Sequence, residues 1–205
     1  FANVVLGDEI NRAPPKTQAA LLEVMAEQQV TVDGHTHPVP DPFTVIATQN
    51  DVEPGRTYEL PVAEVDRFTK KIRLGYPTEA EETELLGRVV GTHPIESLDG
   101  VAAVEDVRRA RGTVADVTVR EPVRAYVSRL AGYTRKHARL GVSPRGAIAL
   151  VRASQARAVF EGREHVLPDD VQTEAKTVLS HRIRTDTEID GEEIVEQALE
   201  DVAVE

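Results

Sequence analysis

VVLGDEINRAPPKTQ, residues 4–18, is the stretch that decides the fold. Its first residues form an apolar run that ends in Asp8-Glu9, a pattern typical of a buried parallel strand with acids at its carboxyl end. Ligands of open α/β sheets bind at that edge. Pro14-Pro15 then predicts the first turn of a helix, where the missing N–H of proline is not needed, and this helix runs to about Gln28. The stretch therefore predicts an α/β unit with acidic side chains at a strand end.

A hairpin and a second strand follow this helix. Residues 29–39 alternate apolar and polar side chains around Asp33-Gly34, which is a strong hairpin signal. Residues 43–47 predict another strand, and it ends in Thr48-Gln49-Asn50. Two strands of the predicted sheet therefore end in polar residues.

The remaining sequence predicts a change of architecture near Pro77. Before it we expect a loop over Gly55–Pro61, a short helix over Val62–Phe68 and a last strand over Lys71–Leu74. Beyond it the pattern is helical: Thr78 caps an acidic first turn. Later helices are predicted near Val104–Ala110, Glu121–His137, Ser143–Phe160 and Pro168–Leu179. We therefore expect an α/β part over residues 1–77 and an all-α part over residues 78–205.

Composition excludes several classes of protein. The chain of 205 residues has no cysteine, which rules out a disulfide framework or a thiolate metal site and fits a reducing cytoplasm. Its net charge of −11 argues against phosphate-driven binding of nucleic acid. No apolar stretch approaches the roughly 20 residues that span a bilayer. Phe1, directly before an apolar run typical of an interior strand, indicates part of a longer protein.

The acidic pair has the chemistry that ATP hydrolysis requires. Asp8 can hold Mg²⁺, often through water, while Glu9 can polarise the attacking water. A helix-capping aspartate beside a solvated glutamate fits the same two residues. The pair alone does not decide between these interpretations.

The residues around the pair resemble the Walker B region of MoxR-type AAA+ ATPases. Matching motifs occur in the family's order at residues 5–18, 20–25, 30–34, 45–50, 60–68 and 141–145. From first to last, they span most of the first 150 residues. The chain thus resembles the C-terminal part of such an ATPase, and the resemblance implies an incomplete parallel P-loop NTPase sheet followed by an all-α helical lid domain.

The resemblance also implies roles for five residues. Asp8 would bind Mg²⁺ and nucleotide, Glu9 would activate water, and Asn50 would be the sensor near the γ-phosphate. Arg67 would be an arginine finger that reaches a neighbouring subunit, and Arg145 would be the second sensor in the lid. The residues themselves leave alternatives open: a strand-end asparagine can cap a turn, and an arginine beside an acid is commonly a surface ion pair.

The resemblance further implies ATP and Mg²⁺ as cofactors, a homo-oligomeric ring (a hexamer) and a cytoplasmic, chaperone-like role in remodelling or assembling partner proteins. A protein with a von Willebrand factor A domain is the expected kind of partner. The competing interpretation is a non-enzymatic protein-interaction module. A nucleic-acid motor of the same superfamily is disfavoured by the acidic charge.

One departure from the family concerns phosphate binding. No G-x-x-x-x-G-K-[ST] loop occurs in the chain, and such a loop supplies the strongest phosphate contacts. We therefore expect the chain alone to bind ATP poorly and not to hydrolyse it. His35 and His37 flank one residue of the hairpin, and without a third ligand nearby they are interpreted as exposed turn residues.

Overall fold

A computed structural model describes residues 2–50, 58, 60–90, 94–186 and 188–204 of the chain. The described strands are β1 Val4–Gly7, β2 Gln29–Val32, β3 His35–Pro38 and β4 Thr44–Ala47. The described α-helices are α1 Pro15–Glu27, α2 Val62–Val65, α3 Glu79–Val89, α4 Val104–Asp116, α5 Glu121–His137, α6 Pro144–Phe160, α7 Pro168–Leu179 and α8 Gly191–Asp201. Short 3₁₀ turns cover Ile10–Arg12, Pro94–Ser97 and Ser180–Arg182. The predicted loop over residues 55–61 lies outside the described residues except at positions 58, 60 and 61.

The sheet and the hairpin confirm the local predictions. β1 and β4 pair in parallel, with Val4 opposite Thr44 and Gly7 opposite Ala47. β2 and β3 pair antiparallel through Asp33-Gly34, whose φ angles are both positive, at 51° and 79°. An Asp-Gly pair suits this turn because glycine adopts positive φ without steric cost.

The prediction that β1 is a buried strand is wrong for one of its faces. Gly7 and Ala47 lie on the face that packs against α1, next to Leu21 and Leu22. Side chains on the opposite face stay exposed, and Leu6 keeps 65% of its surface in solvent. An alternating strand with one covered face leaves every second side chain in solvent.

The prediction of a strand over Lys71–Leu74 is also wrong. No strand occurs there, and the Lys71 N–H donates to the carbonyl of Thr177 at 2.9 Å. Leu74 is 93% exposed. The alternating pattern is typical of a strand, but this segment instead begins with a backbone hydrogen bond to the end of α7.

Helix α2 ends earlier than predicted, at Val65 instead of Phe68. The N–H groups of Arg67 and Phe68 donate to carbonyls three residues back, at Glu64 and Val65. These i→i+3 bonds tighten the chain into a turn rather than a further α-helical turn. Arg67 therefore sits on a turn and not within a helix.

The helical region contains the main core. Helices α5, α6, α7 and α8 pack around fully buried side chains, including Tyr126, Leu130, Leu150, Val171 and Leu179. A smaller cluster of Ile10, Leu22 and Leu60 lies under the parallel strands. Helix α8 was not predicted, although Asp190 caps it by accepting from the N–H groups of Glu192 and Glu193.

Helix α3 forms through its own local signals. Thr78 caps this helix as predicted, and Glu81 completes a reciprocal capping box with it. The Thr78 N–H and hydroxyl donate to the Glu81 carboxylate and thereby lower its pKa. None of its residues is buried. Capping and propensity therefore account for this helix better than packing does.

Candidate functional site

The two strand ends meet through Thr48. Its hydroxyl donates to Oδ1 of Asp8 at 2.6 Å and accepts from the N–H of Glu9 at 2.8 Å. The backbone continues the parallel ladder past both strands, because the Thr48 N–H donates to the Gly7 carbonyl and the Ile10 N–H to the Thr48 carbonyl, each at 3.0 Å. The sequence alone predicts no role for Thr48. Its position in the polar end of a predicted strand could have indicated one. Thr48 fixes the acid pair against the neighbouring strand.

Glu9 adopts an unusual backbone conformation. Its φ and ψ are 47° and 52°, in the left-handed region, which costs a residue with a side chain about 1–2 kcal/mol. The bonds from its own N–H and from that of Ile10 to Thr48 hold it there. This conformation turns the chain sharply from β1 into the 3₁₀ turn that follows.

The Glu9 carboxylate has a weak partner. Its Oε2 lies 3.2 Å from Nε of Arg12, and the two side chains are 37% and 42% exposed. Such surface pairs contribute at most about 1 kcal/mol. The carboxylate can therefore exchange this contact for water or a ligand at little cost.

Asn50 lies next to the same turn. The side-chain amide of Asn11 donates to the Asn50 carbonyl at 3.5 Å, and the Asn11 carbonyl accepts from the Tyr58 N–H at 2.7 Å. Gln18 is buried and donates to the carbonyl of Ile10 at 3.0 Å. The structure thus brings Asp8, Glu9 and the backbone of Asn50 into one neighbourhood.

Arg67 lies apart from the acid pair. Its Nη1 donates to the Leu22 carbonyl at 3.1 Å, and it lines a groove of about 370 Å³ between α1 and α2 with Glu23, Ala63 and Glu64. Its Nε is buried and has no hydrogen-bond partner among the described residues. Within the described part of the chain, no hydrogen bond or ion pair joins Arg67 to Asp8 or Glu9.

Arg145 is exposed on the first turn of α6. Ser143 caps this helix, and its hydroxyl accepts from the Gly146 N–H at 3.1 Å. Burial is the main cause that lowers the pKa of the nearby Arg182, and the charge of Arg145 lowers it further. Arg145 therefore lies close to Arg182, where helix α6 begins.

Asp66 connects these two regions. Its Oδ1 accepts from Nε of Arg182 at 2.9 Å, and its Oδ2 accepts from the Ser143 hydroxyl at 2.8 Å. The Arg182 side chain is only 2% exposed. Neither Asp66 nor Arg182 has a role that the sequence predicts, because 116 residues separate them in the chain.

The donor set at the strand ends suits magnesium. Asp8 offers a carboxylate and Thr48 a hydroxyl, both hard oxygen donors. Mg²⁺ is commonly bound by one or two carboxylates together with waters and substrate phosphates. Among the described residues, the strand ends included, no group of three His, Cys, Asp or Glu side chains is placed to hold a metal ion by itself. No described helix is long and apolar enough to cross a membrane.

Two family models match separate parts of the chain. The model of the ATPase family associated with various cellular activities (AAA) matches residues 1–70. The model of the AAA lid domain matches residues 131–201. The first includes the strand ends and Arg67, and the second includes Arg145 and Arg182.

Individual proteins are similar over nearly the whole chain. YeaC of Bacillus subtilis, an uncharacterized protein, is 47% identical over 97% of this chain and 63% of its own length. The chaperone MoxR1 of Mycobacterium tuberculosis is 38% identical over 99% of this chain and 58% of its own length. The chain thus spans less than two thirds of either curated relative.

A solved structure shares the fold. The crystal structure of a candidate ATPase from Cytophaga hutchinsonii matches all of this chain and 67% of its own, with a TM-score of 0.93 and 37% sequence identity. The parallel strands followed by the helical region form the α/β AAA+ fold. Because both family models match, the fold is shared and a MoxR relative is similar over 99% of this chain, the chain belongs to the MoxR-type AAA+ ATPases.

Proposed function

We propose that this chain carries the hydrolytic residues of an ATPase that uses ATP and Mg²⁺ to remodel or assemble partner proteins. The observation that carries the proposal is the bridge from Thr48 to Asp8 and to the Glu9 N–H, at 2.6 and 2.8 Å. It holds the Asp8 carboxylate and the Glu9 backbone at the edge of a parallel sheet where ligands of such folds bind. Asp8 would bind Mg²⁺ through water, and Glu9 would polarise the water that attacks the γ-phosphate.

Asn50 would complete the water site. A side-chain amide can donate to a phosphate oxygen and also accept from water. Its backbone lies against Asn11, two residues beyond Glu9. The amide and the Glu9 carboxylate would therefore approach the nucleotide from adjacent strand ends.

Arg67 would act on a neighbouring subunit. In the described structure it contacts the Leu22 carbonyl and not the acid pair of its own chain, which suits an arginine finger supplied in trans. This role requires a ring, and we propose a homo-hexamer. Arg145 would contact the same nucleotide from the lid.

We further propose that the chain divides into a core over residues 1–77 and a lid over residues 78–205. The protein would be cytoplasmic and chaperone-like. Its partner would be a protein with a von Willebrand factor A domain. The similarity to MoxR1, which is named as a chaperone, supports the remodelling role. Because the chain has no G-x-x-x-x-G-K-[ST] loop, the 205 residues alone would neither bind ATP tightly nor hydrolyse it.

Glu9→Gln in the full-length gene product tests the proposal. The amide keeps the shape of the side chain but is a poorer acceptor for a proton from water, so kcat should fall by about 100-fold or more while ATP still binds. Glu200→Gln, at an exposed position of α8, is the matched control and should keep full activity. Hydrolysis at the wild-type rate by Glu9→Gln would refute the role of Glu9.

A further inference from the structure

Arg182 holds the turn that carries Arg67. Its Nε donates to Oδ1 of Asp66 at 2.9 Å, and its Nη2 donates to the Phe68 carbonyl at 2.6 Å and to the Asp66 carbonyl at 3.3 Å. Its Nη1 donates to the carbonyls of Thr69, at 3.3 Å, and of Val178. A guanidinium has five N–H groups, and four of these five acceptors belong to residues 66–69.

The neighbouring contacts strengthen the same junction. His181 approaches the Phe68 carbonyl with Nε2 at 3.0 Å, and Lys70 pairs with Glu174. The Lys71 N–H donates to the Thr177 carbonyl at 2.9 Å. The segment on the C-terminal side of Arg67 is therefore bound to the end of α7 and the 3₁₀ turn that follows it.

The other side of the junction is the start of α6. Asp66 accepts from the hydroxyl of Ser143, the N-cap of that helix, at 2.8 Å. A Cβ at Gly146 would lie 2.8 Å from Cδ of Arg182, so the first turn of α6 packs directly on the arginine side chain. Arg145 lies within this same turn.

We propose that Asp66 and Arg182 form a clamp that sets the position of the arginine finger relative to the lid. The clamp is the Asp66 carboxylate, the Arg182 guanidinium and the Ser143 hydroxyl. One carboxylate thereby joins the turn before Arg67 to the first turn of α6. Helix α6 is itself held in the helical core, so the clamp positions Arg67 and not Arg145. Asp66 and Arg182 are positioning residues, and this role rests on the proposed function of Arg67.

The geometry also explains why arginine is needed at position 182. A lysine keeps the positive charge but has three donors on one atom, so it cannot reach carbonyls spread over residues 66–69 and 178 at once. The charge alone would therefore not hold the turn. Arg182→Lys separates charge from geometry.

The test compares ATP hydrolysis by variants of the full-length gene product. Asp66→Asn and Arg182→Lys should each lower kcat by about 10- to 100-fold, because misplacing a catalytic group by about 1 Å has effects of this size. The KM for ATP should stay within about threefold. If Asp66→Asn does not fold, Ser143→Ala removes the milder of the two side-chain contacts and takes its place.

A double-mutant cycle distinguishes positioning from a general structural role. If Asp66 acts through Arg67, then Asp66→Asn should have no further effect on kcat in the Arg67→Ala background. Asp170→Asn is the matched control, because Asp170 forms a comparably buried ion pair with Arg163 inside the helical region. It should lower the melting temperature and leave kcat within about twofold. Multiplicative effects with Arg67→Ala, or an equal loss of kcat in the control, would overturn the clamp.

Hydrogen exchange tests the clamp without catalysis. In Asp66→Asn the amides of residues 66–71 should exchange about tenfold faster, while in Asp170→Asn they should exchange at the wild-type rate. If the wild-type protein hydrolyses no ATP, the proposed function is wrong, and the hydrogen-exchange experiment is then the test of the clamp. Unchanged exchange at 66–71 in Asp66→Asn would then overturn it.

Discussion

Replacing Thr48 by valine tests whether the bridge between the strand ends positions the acid pair. Valine has nearly the same shape as threonine, so the change removes little except the hydroxyl. That hydroxyl donates to Oδ1 of Asp8 at 2.6 Å and accepts from the Glu9 N–H at 2.8 Å. Both contacts disappear in Thr48→Val.

The two lost hydrogen bonds determine the size of the effect. A hydrogen bond to a charged group contributes about 1.5–3 kcal/mol, and one between neutral groups about 0.5–1.5 kcal/mol. Both bonds are exposed to solvent, so the lower values apply and add to about 2 kcal/mol. If this free energy holds Asp8 and Glu9 in place in the transition state, kcat falls about 30-fold. The free energy of unfolding should fall by no more than about the same 2 kcal/mol, because these two hydrogen bonds are the main interactions that the change removes.

The assay is steady-state ATP hydrolysis by the full-length gene product, with urea unfolding as the check on stability. Thr48→Ser keeps the hydroxyl and should retain kcat within about threefold. A Thr48→Val protein that unfolds like the wild type and hydrolyses ATP as fast would refute the reasoning.

Two further predictions concern stability. Burial, followed by the charge of Arg182, lowers the pKa of His181 to about 4 in the folded protein. Since the pKa in the unfolded chain is about 6.5, the stabilisation that comes from keeping this histidine neutral is complete above pH 6.5 and is lost as the pH falls toward 4. His181 should therefore lower the free energy of unfolding in urea by about 2 kcal/mol between pH 7 and pH 5, and His181→Gln should remove this part of the pH dependence. An equal pH dependence of stability in the two proteins would contradict the lowered pKa of His181. Gly141→Ala should destabilise the fold by about 3 kcal/mol, because the new Cβ would lie 2.5 Å from the backbone of Arg135. Gly132→Ala, with open space around its Cβ within α5, should stabilise the fold by about 0.5–1 kcal/mol, and thermal melting that ranks the two variants in the opposite order would show that the steric argument is wrong.

Features that depend on neighbouring residues were predictable from the sequence. The Asp33-Gly34 turn and the cap of α3 at Thr78 occur where the sequence predicts them, and the capping box of Thr78 with Glu81 and the N-cap of α6 at Ser143 are equally local. Each involves residues at most three positions apart, so the local sequence contains the whole interaction. The capping of α8 by Asp190 was equally local and was missed.

Features that depend on distant residues were not predictable in this way. The segment 71–74 alternates like a strand, but its backbone bond goes to Thr177 in the helical region. Thr48 binds Asp8 across 40 residues, and Arg182 binds Asp66 across 116. Periodicity reports which face of an element is apolar and contains no information on which distant group a polar side chain meets.

The acid pair and the turn that bears Arg67 are held by different parts of the molecule. The acid pair is held by Thr48 and by backbone bonds within the α/β part, whereas the turn bearing Arg67 is held largely by Arg182 in the helical region. A rotation of the helical region would therefore pull on residues 66–69 through Arg182, against the packing of Phe68 on the hydrophobic cluster of the α/β part, and would leave Asp8 and Glu9 in place. Because Arg67 also donates to the Leu22 carbonyl of α1, the same rotation would have to break or lengthen that bond. Arg67 thus lies at the junction between the helical region and the α/β part. Movement of one against the other would shift the Arg67 side chain before it disturbed the acid pair.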